Sequence, residues 1–587
     1  DHRDLHSFPT RRSSDLTIQL HPPRVQALHV LRDGRRLLLV VGDLVASFRS
    51  LELRVVDRVR ERTGVDVSKS LVLAGNHTHT GPARLFDTPM GPLFSDTYRE
   101  EAFQPVAEAI ADAIVDAMSR DNVPVRFGTA PLQNAAMHQD RRCEYEGGPD
   151  DTMTVLAFER VDGSGLLAVA LHYSLHGTVF AYQDGVLGGD APRSVELKVQ
   201  EALPGAPPVL FFQAATGDVA PTDPQDLFPD ATGPGAPIPA LDRLEALGRL
   251  AAQTVLDGWD TLHWDEAPDL VVASAVAPMT WEAIGYAPGE WDHPAGAILC
   301  GGGASVCTGA TPDMDACIDL DYDWVPDTVR LTAFRLGTVA AATLPGEPHT
   351  SLAAQLQQKV RMSVRPAWNA LVFGYAHDYV GYLMLPDDFA GGGYEPGMAF
   401  YGPRQGEYLR DAAASVAARL SMPDAPLSFV PADLPAWAPG ASTPYEPAVS
   451  IEAGLVAADL PASAVAGDVL AFSWTGGDPW VDRPEVVVER EGASGYAPLR
   501  AGGRVVDQRD YRVLLAVAPD PPWTQPAPDG RRFTWTATVR TGVRIPAPEA
   551  ALTGTLRVAV AGHAASPDGS VAPYRAWSAP VAVAPSR

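Results

Sequence analysis

Two textures divide the chain. Up to about residue 430, short apolar runs alternate with stretches whose apolar residues recur every three or four positions. Residues 36–46 (Arg-Leu-Leu-Leu-Val-Val-Gly-Asp-Leu-Val-Ala) predict a buried strand, and Leu51, Val55 and Val59 mark one face of a helix. The next apolar run begins at Leu71 and ends in Asn76-His77-Thr78-His79-Thr80-Gly81-Pro82. Alternate residues of a strand share a face, so both imidazoles are expected to project the same way from its carboxyl end. Phe103, Val106, Ile110, Ile114 and Met118 predict a helix over 96–118. Strands are expected at 152–159, 165–173, 208–213, 330–343 and 370–375, and helices at 240–257, 351–362 and 406–420. This alternation points to an α/β layer arrangement. Prolines at 431, 435, 439, 444 and 447 predict a stiff linker. Beyond it, Val469–Trp474, Glu485–Arg490, Tyr511–Val517, Phe533–Arg540 and Thr555–Ala561 are short, β-branched and separated by turns, as in an all-β sandwich.

Length and charge narrow the function. A chain of 587 residues exceeds what one core usually serves. A net charge of -27 argues against a nucleic-acid partner, which needs clustered Lys and Arg. It disfavours anionic membrane surfaces but leaves peripheral contact with neutral lipid open. No run of 18 or more apolar residues suggests a transmembrane helix. Residues 1–16 lack useful periodicity and look like translated sequencing adapter, so they are set aside as a non-native segment. On that reading the native amino terminus is missing, and the lack of a visible signal peptide carries little weight. The cysteine spacings are too open for a Cys-type zinc site. A disulfide inside the loop that holds Cys300, Cys307 and Cys317 is expected, with Cys143 free or reaching across. That fits an oxidising compartment.

The chemistry gathers at strand exits: His77 with His79, His176, Glu347, and a group of tyrosines after residue 375. Ligands of open α/β layers collect at the carboxyl ends of strands. Two imidazoles and a carboxylate leave a catalytic zinc ion one open position for water. Paired histidines also occur as a satisfied surface pair, and spacing alone does not make the exits converge. His172 reads as structural, His349 as a cap or partner of Glu347, and Asp190 and Asp218 as turn formers. The irregular cysteine-bearing stretch 281–325 reads as a rim over a pocket.

Several of these exits resemble motifs of the neutral/alkaline, non-lysosomal ceramidases. Asn76-His77-Thr78-His79-Thr80-Gly81-Pro82 is similar to that family's Thr-His-Thr-His-Ser-Gly-Pro. Leu175-His176-Gly177-Thr178, Gly189-Asp190, Gly217-Asp218-Val219-Ala220-Pro221 and Pro345-Gly346-Glu347 follow in family order. So do Tyr379-Val380-Gly381-Tyr382, Tyr394-Glu395 and Tyr401-Gly402-Pro403. The resemblance implies an α/β catalytic domain with mixed sheet layers over 17–430. It implies a linker at 431–447 and an immunoglobulin-like sandwich over 448–587. It implies one Zn2+ per chain held by His77, His176, Glu347 and Tyr382, with His79 and Tyr394 at the scissile amide. The implied reaction is hydrolysis of ceramide, or a related lipid amide, to an amine and a fatty acid. The implied place is secreted, periplasmic or cell-surface.

The sequence departs from the pattern. The serine of Gly-Asp-Val-Ser-Pro is Ala220, and the Asn-Arg-Ser arginine is Ala135, with Arg141 or Arg142 as substitutes. A zinc-water mechanism survives the first change. Two other classes stay in view. One is a metal-dependent phosphoesterase or amidohydrolase on a barrel, which needs a second metal and further Asp or His ligands. The other is a drifted family member acting as a binding module.

Overall fold

The computed structural model describes residues 18–20, 22–91, 95–142, 148–180, 185–222, 239–300, 304–305, 309–310, 317–442, 446–501, 504–510, 512–523, 525–542 and 551–585. The segment 1–16, Cys143 and Cys307 lie outside the described residues.

The run after Arg36 is apolar without alternation because both faces are covered. It is the strand Arg35–Gly42. Leu38 and Val40 join one core with the helices Arg49–Thr63 and Glu100–Ser119. Leu37, Leu39 and Val41 point the other way, into a core between sheets. The strand pairs antiparallel with Val25–Arg32 and parallel with Leu71–Gly75. A four-stranded sheet shares both cores: Leu270–Pro278, Thr328–Leu336, Val339–Thr343 and Asn369–Phe373, in that order.

A five-stranded sheet faces these two, ordered Val209–Gln213, Leu166–Tyr173, Thr152–Arg160, Val125–Gln133, His263–Asp265. The faces meet through aromatic contacts such as Phe212 on Phe373, ring centroids 5.1 Å apart. Helices Asp190–Ala202 and Pro239–Gly258 cover its outer face with Val195, Val199, Leu244 and Leu247. Helices Thr350–Ser363 and Gln405–Ala418 cover the four-stranded sheet. The layers therefore run helix, sheet, sheet, helix, with mixed strand directions.

Two expectations need correction. The stretch 330–343 is a hairpin rather than one strand. Gly337 at φ 56° turns the chain and Leu336 pairs with Val339. The histidine strand stops at Gly75, so pleat alternation does not aim His77 and His79. Helix Asp190–Ala202 was not legible, because it buries Arg193, Glu196 and Lys198 beside its apolar residues and shows no polar face.

Residues past 448 form two large sheets and a two-stranded ribbon, Arg500–Ala501 with Arg504–Val505, and the common core includes Trp474, Trp535, Phe472 and Val558. Burial alternates along Arg532–Arg540, as the period-two pattern requires. One of these sheets does not stop at the carboxyl-terminal region. Ile18–Gln19 pairs antiparallel with Leu515–Ala516 and parallel with Val186–Leu187. Leu514 also belongs to the core under Pro239–Gly258. The proline-rich stretch lies along the α/β layers: Ala432 N–H bonds Val276 O at 3.0 Å, and the Arg54 guanidinium sits 4.3 Å over the Trp437 ring. Cys300 and Cys317 form a disulfide. Among the described residues no helix is long and apolar enough to cross a membrane.

Candidate metal centre

Three chain segments carry the central side chains, and their backbones touch. A Cβ on Gly177 would lie 2.4 Å from the carbonyl oxygen of His77. One on Gly217 would lie 2.7 Å from that of Glu347. These motif glycines are small so that the loops can lie against each other. An isolated bridge joins Thr78 to Gly177, and Glu347 pairs with Tyr382 in a two-residue parallel ladder.

His77 takes a left-handed backbone, φ 62°, just past the strand. That turn brings it to His79, the rings 4.7 Å apart edge to face. Its Nδ1 lies 2.7 Å from Val45 O, and His176 Nδ1 lies 3.0 Å from Thr216 O. A carbonyl only accepts, so both Nδ1 atoms carry the proton and both Nε2 atoms present lone pairs. Those two Nε2 atoms face each other at 3.0 Å. Glu347 Oε2 stands 3.3 Å from His77 Nε2. Acceptors so arranged repel one another unless a cation lies among them. Nitrogens bound to one tetrahedral zinc are roughly 3.3 Å apart, so this donor set fits that ion.

His79 belongs to the same cluster. Its Nε2 is 3.2 Å from His77 Nε2, and the three imidazoles offer ligand atoms within 4.8 Å of one another. It is less buried than the other two. Burial, with the neighbouring His77, lowers its pKa to about 3, and burial also takes His176 well below the usual range. Burial alone would raise the Glu347 carboxyl. Positive charge on the facing His77 and His176 rings, with the Tyr379 hydroxyl, would outweigh it and hold that carboxyl well below the ordinary value. Tyr379 donates to Glu347 Oε1 at 2.5 Å and Tyr375 to Oε2 at 3.3 Å. Tyr375 also bonds Thr216 and stacks on His77, centroids 4.0 Å apart.

The tyrosines divide differently from their spacing. Among the described contacts, the Tyr382 hydroxyl meets Arg141, whose Nη2 donates to it at 3.0 Å and to Gly217 O at 2.7 Å. Tyr394 stands edge-on to Tyr382, centroids 5.8 Å apart. Burial raises the pKa of both hydroxyls, so both keep their protons. Arg141 and Arg142 both pair with Glu395, and Arg141 also reaches the Tyr382 hydroxyl. Ala135, where a family arginine was sought, is exposed.

The remaining expectations sort simply. His172 Nε2 donates to Val372 O at 2.8 Å within the sheet core. Asp190 accepts from the backbone N–H groups of Val179, Phe180 and Ala191. Asp218 accepts from Thr350 N and Oγ1, pinning the start of the helix that follows Glu347. His349 sits at the N-cap of that helix without a side-chain cap bond. Sequence reasoning missed Tyr375, Thr216 and the two orienting carbonyls. A backbone carbonyl leaves no mark in a sequence. A lone tyrosine after an apolar run was legible as part of a group but not singly.

Comparison with known proteins follows the same lines. Residues 24–225 match the model of the neutral/alkaline non-lysosomal ceramidase N-terminal domain. Neutral ceramidase A of Dictyostelium discoideum is 22% identical over 468 residues, 65% of this chain and 65% of that protein. Neutral ceramidase of Pseudomonas aeruginosa is 25% identical over 426 residues, 63% of this chain and 62% of that protein. The match thus spans less than two thirds of either relative. Neutral ceramidase of Mycobacterium tuberculosis is 21% identical over 527 residues, 76% of this chain and 82% of its own length. A solved structure described as ceramidase complexed with C2 superposes at TM-score 0.78 with 17% identity, over 99% of this chain and 98% of that one. The crystal structure of the Pseudomonas aeruginosa neutral ceramidase gives 0.76 at 17% identity over the same shares. These two share the fold. The matched residues 24–225 resemble the N-terminal domain of the neutral/alkaline non-lysosomal ceramidase family.

Proposed function

We propose that this chain is a zinc-dependent hydrolase of N-acyl amides, acting on ceramide or a related lipid amide to release an amine and a fatty acid. The observation that carries the reading is the meeting of His77 Nε2, His176 Nε2 and the Glu347 carboxylate with no proton donor between the imidazoles. In this reading His77, His176, Glu347 and Tyr382 hold one zinc ion. Zinc bound there supplies a Lewis acid for the amide carbonyl and a nucleophile at neutral pH. The chain's own residues do the rest. Burial keeps His79 neutral, so its Nε2 can accept a proton or hold a polar group of the substrate. Tyr394 keeps its hydroxyl proton and can donate to the oxyanion as the carbonyl is attacked. Arg141 donates to the Tyr382 oxygen and holds it in place.

The same reading takes 17–430 as the catalytic domain, 431–447 as the linker and 448–587 as an immunoglobulin-like domain. It places the protein outside the cytosol, which the Cys300–Cys317 disulfide supports. Peripheral contact with membrane lipid would deliver the substrate. A two-metal phosphoesterase is less favoured. Among the described residues the other group of three metal-ligating side chains is His293, Cys300 and Cys317, and its two sulfurs are bonded to each other.

The test is a hydrolysis screen of N-acyl amides of varied chain length and head group, with zinc measured by elemental analysis. One zinc per chain and cleavage of a lipid amide are expected, with His77→Ala losing both while its circular dichroism is kept. Absence of zinc after chelator-free purification, or an active His77→Ala protein, overturns the assignment.

A further inference from the structure

A second cavity, of about 270 Å³, opens beside Tyr379 and is lined by none of His77, His79, His176, Tyr382 and Tyr394. Its walls are aromatic: Phe48, Phe86, Trp324, Phe400 and Trp437. Trp437 belongs to the proline-rich stretch, so that stretch forms part of the enclosure.

Two polar atoms of the lining residues lack a hydrogen-bond partner, Ser50 Oγ and Asp378 Oδ2, and the second belongs to a carboxylate. Asp378 is 4% exposed and lines the cavity. Its Oδ1 accepts the backbone N–H groups of Tyr379 at 2.9 Å and Arg49 at 3.2 Å. Its Oδ2 is buried with no hydrogen-bond partner. The nearby Arg49 guanidinium is turned elsewhere, donating to Asp327 at 2.6 Å and Thr328 at 3.1 Å. Buried acceptors are satisfied almost without exception, and an orphan at the wall of a cavity marks the place of a missing donor.

The charges say which kind of donor. The acidic and basic side chains lining the cavity are the carboxylates Asp87, Asp323 and Asp378 and the guanidinium of Arg49, beside the phenol of Tyr379. The ring faces add negative potential of their own, which attracts cations. An anion meets three carboxylates here, and a neutral apolar guest leaves Asp378 Oδ2 unpaired. Burial lifts the Asp378 carboxyl to about 7, as suits a group short of donors.

We propose that this cavity binds an organic ammonium ion, its N–H or N–CH3 face on Asp378 Oδ2 and its apolar body against the Phe48, Phe86, Trp324 and Trp437 rings. The site lies one residue from the metal centre. The Tyr379 N–H bonds Asp378 while the Tyr379 hydroxyl bonds Glu347. The binding claim stands on this cavity alone and not on the amidase reading.

Calorimetric titration of the full chain with phenethylammonium, and with 2-phenylethanol as its uncharged counterpart, tests the proposal. One saturable site per chain is expected, with the ammonium bound at least tenfold tighter than the alcohol. Asp378→Asn should bring the two within twofold, and Trp437→Leu, a change in the outer wall, should weaken the ammonium at least threefold. His77→Ala should bind it unchanged. Equal affinity for both probes, no saturable binding, or full ammonium binding by either folded wall variant overturns the proposal. So does loss of binding in His77→Ala, which would place the ammonium in the metal centre.

Discussion

Tyr379 holds Glu347 from one side and Tyr375 from the other, so each carboxylate oxygen has its own donor. Groups that orient a metal ligand typically set its affinity within a factor of about 10 to 100. Tyr379→Phe should therefore weaken zinc by about that factor, read by competition with a chelator, while the melting temperature of the metal-free protein moves little. Unchanged zinc affinity would leave Tyr375 as the sole orienting group. Asp378 offers a cleaner pH experiment. Its carboxyl sits at about 7 in the folded chain against 3.8 when unperturbed. Between those values the folded state keeps a proton that the unfolded state releases. Stability from this group is thus full below about 4, falls as pH rises and levels off above about 7. Asp378→Asn, which mimics the protonated form, should gain on the parent over that window by up to a few kcal/mol. A stability difference that stays flat from pH 4 to 8 would remove Asp378 from the account. At this scale the legible residues were those at the ends of apolar runs, His77, His176 and Glu347. Val45 O and Thr216 O were not legible, because any residue supplies a carbonyl. Arg141 was legible only as one of two candidates, since nothing in adjacent arginines says which one turns inward.

Helices were read well where one face is wet and poorly where none is. The helix Arg49–Thr63 shows Leu51, Val55 and Val59 inward and charged residues outward, and its stripe was plain. Asp190–Ala202 is buried on nearly all sides, so its period is hidden. Leu270–Pro278, the edge strand of a sheet, also went unread, although it is apolar except at Ser274. The candidate metal centre is an inter-element property as well. Its loops meet through glycines, and Gly177 is the one set against the His77 carbonyl. Gly177→Ala drives a methyl into the His77 carbonyl, and overpacking of this kind costs roughly 1–3 kcal/mol. The variant should melt several degrees lower and hold less zinc, as thermal unfolding and elemental analysis would report. A variant with parental melting and full zinc would mean the loops have slack.

At the scale of the whole molecule, the carboxyl-terminal sheets are part of the α/β layers' packing rather than an appendage. Leu514 sits in a core of those layers, and Arg504 donates to Gln200 at 2.7 Å. Ending the chain at residue 447 should therefore lower the melting temperature of the remainder and promote aggregation, seen by scanning calorimetry and size-exclusion chromatography. A monomeric fragment with the parental melting temperature would show the contact to be incidental. The sequence shows the change of texture near residue 448 but not this contact, because pairing partners some 500 positions apart share no local pattern. Ile18–Gln19 takes that separation furthest, lying between Val186–Leu187 and Leu515–Ala516. During synthesis the slot for this strand has only one wall until residues 515 and 516 have left the ribosome. Ile18–Gln19 is thus locked only once Leu515–Ala516 has paired with it.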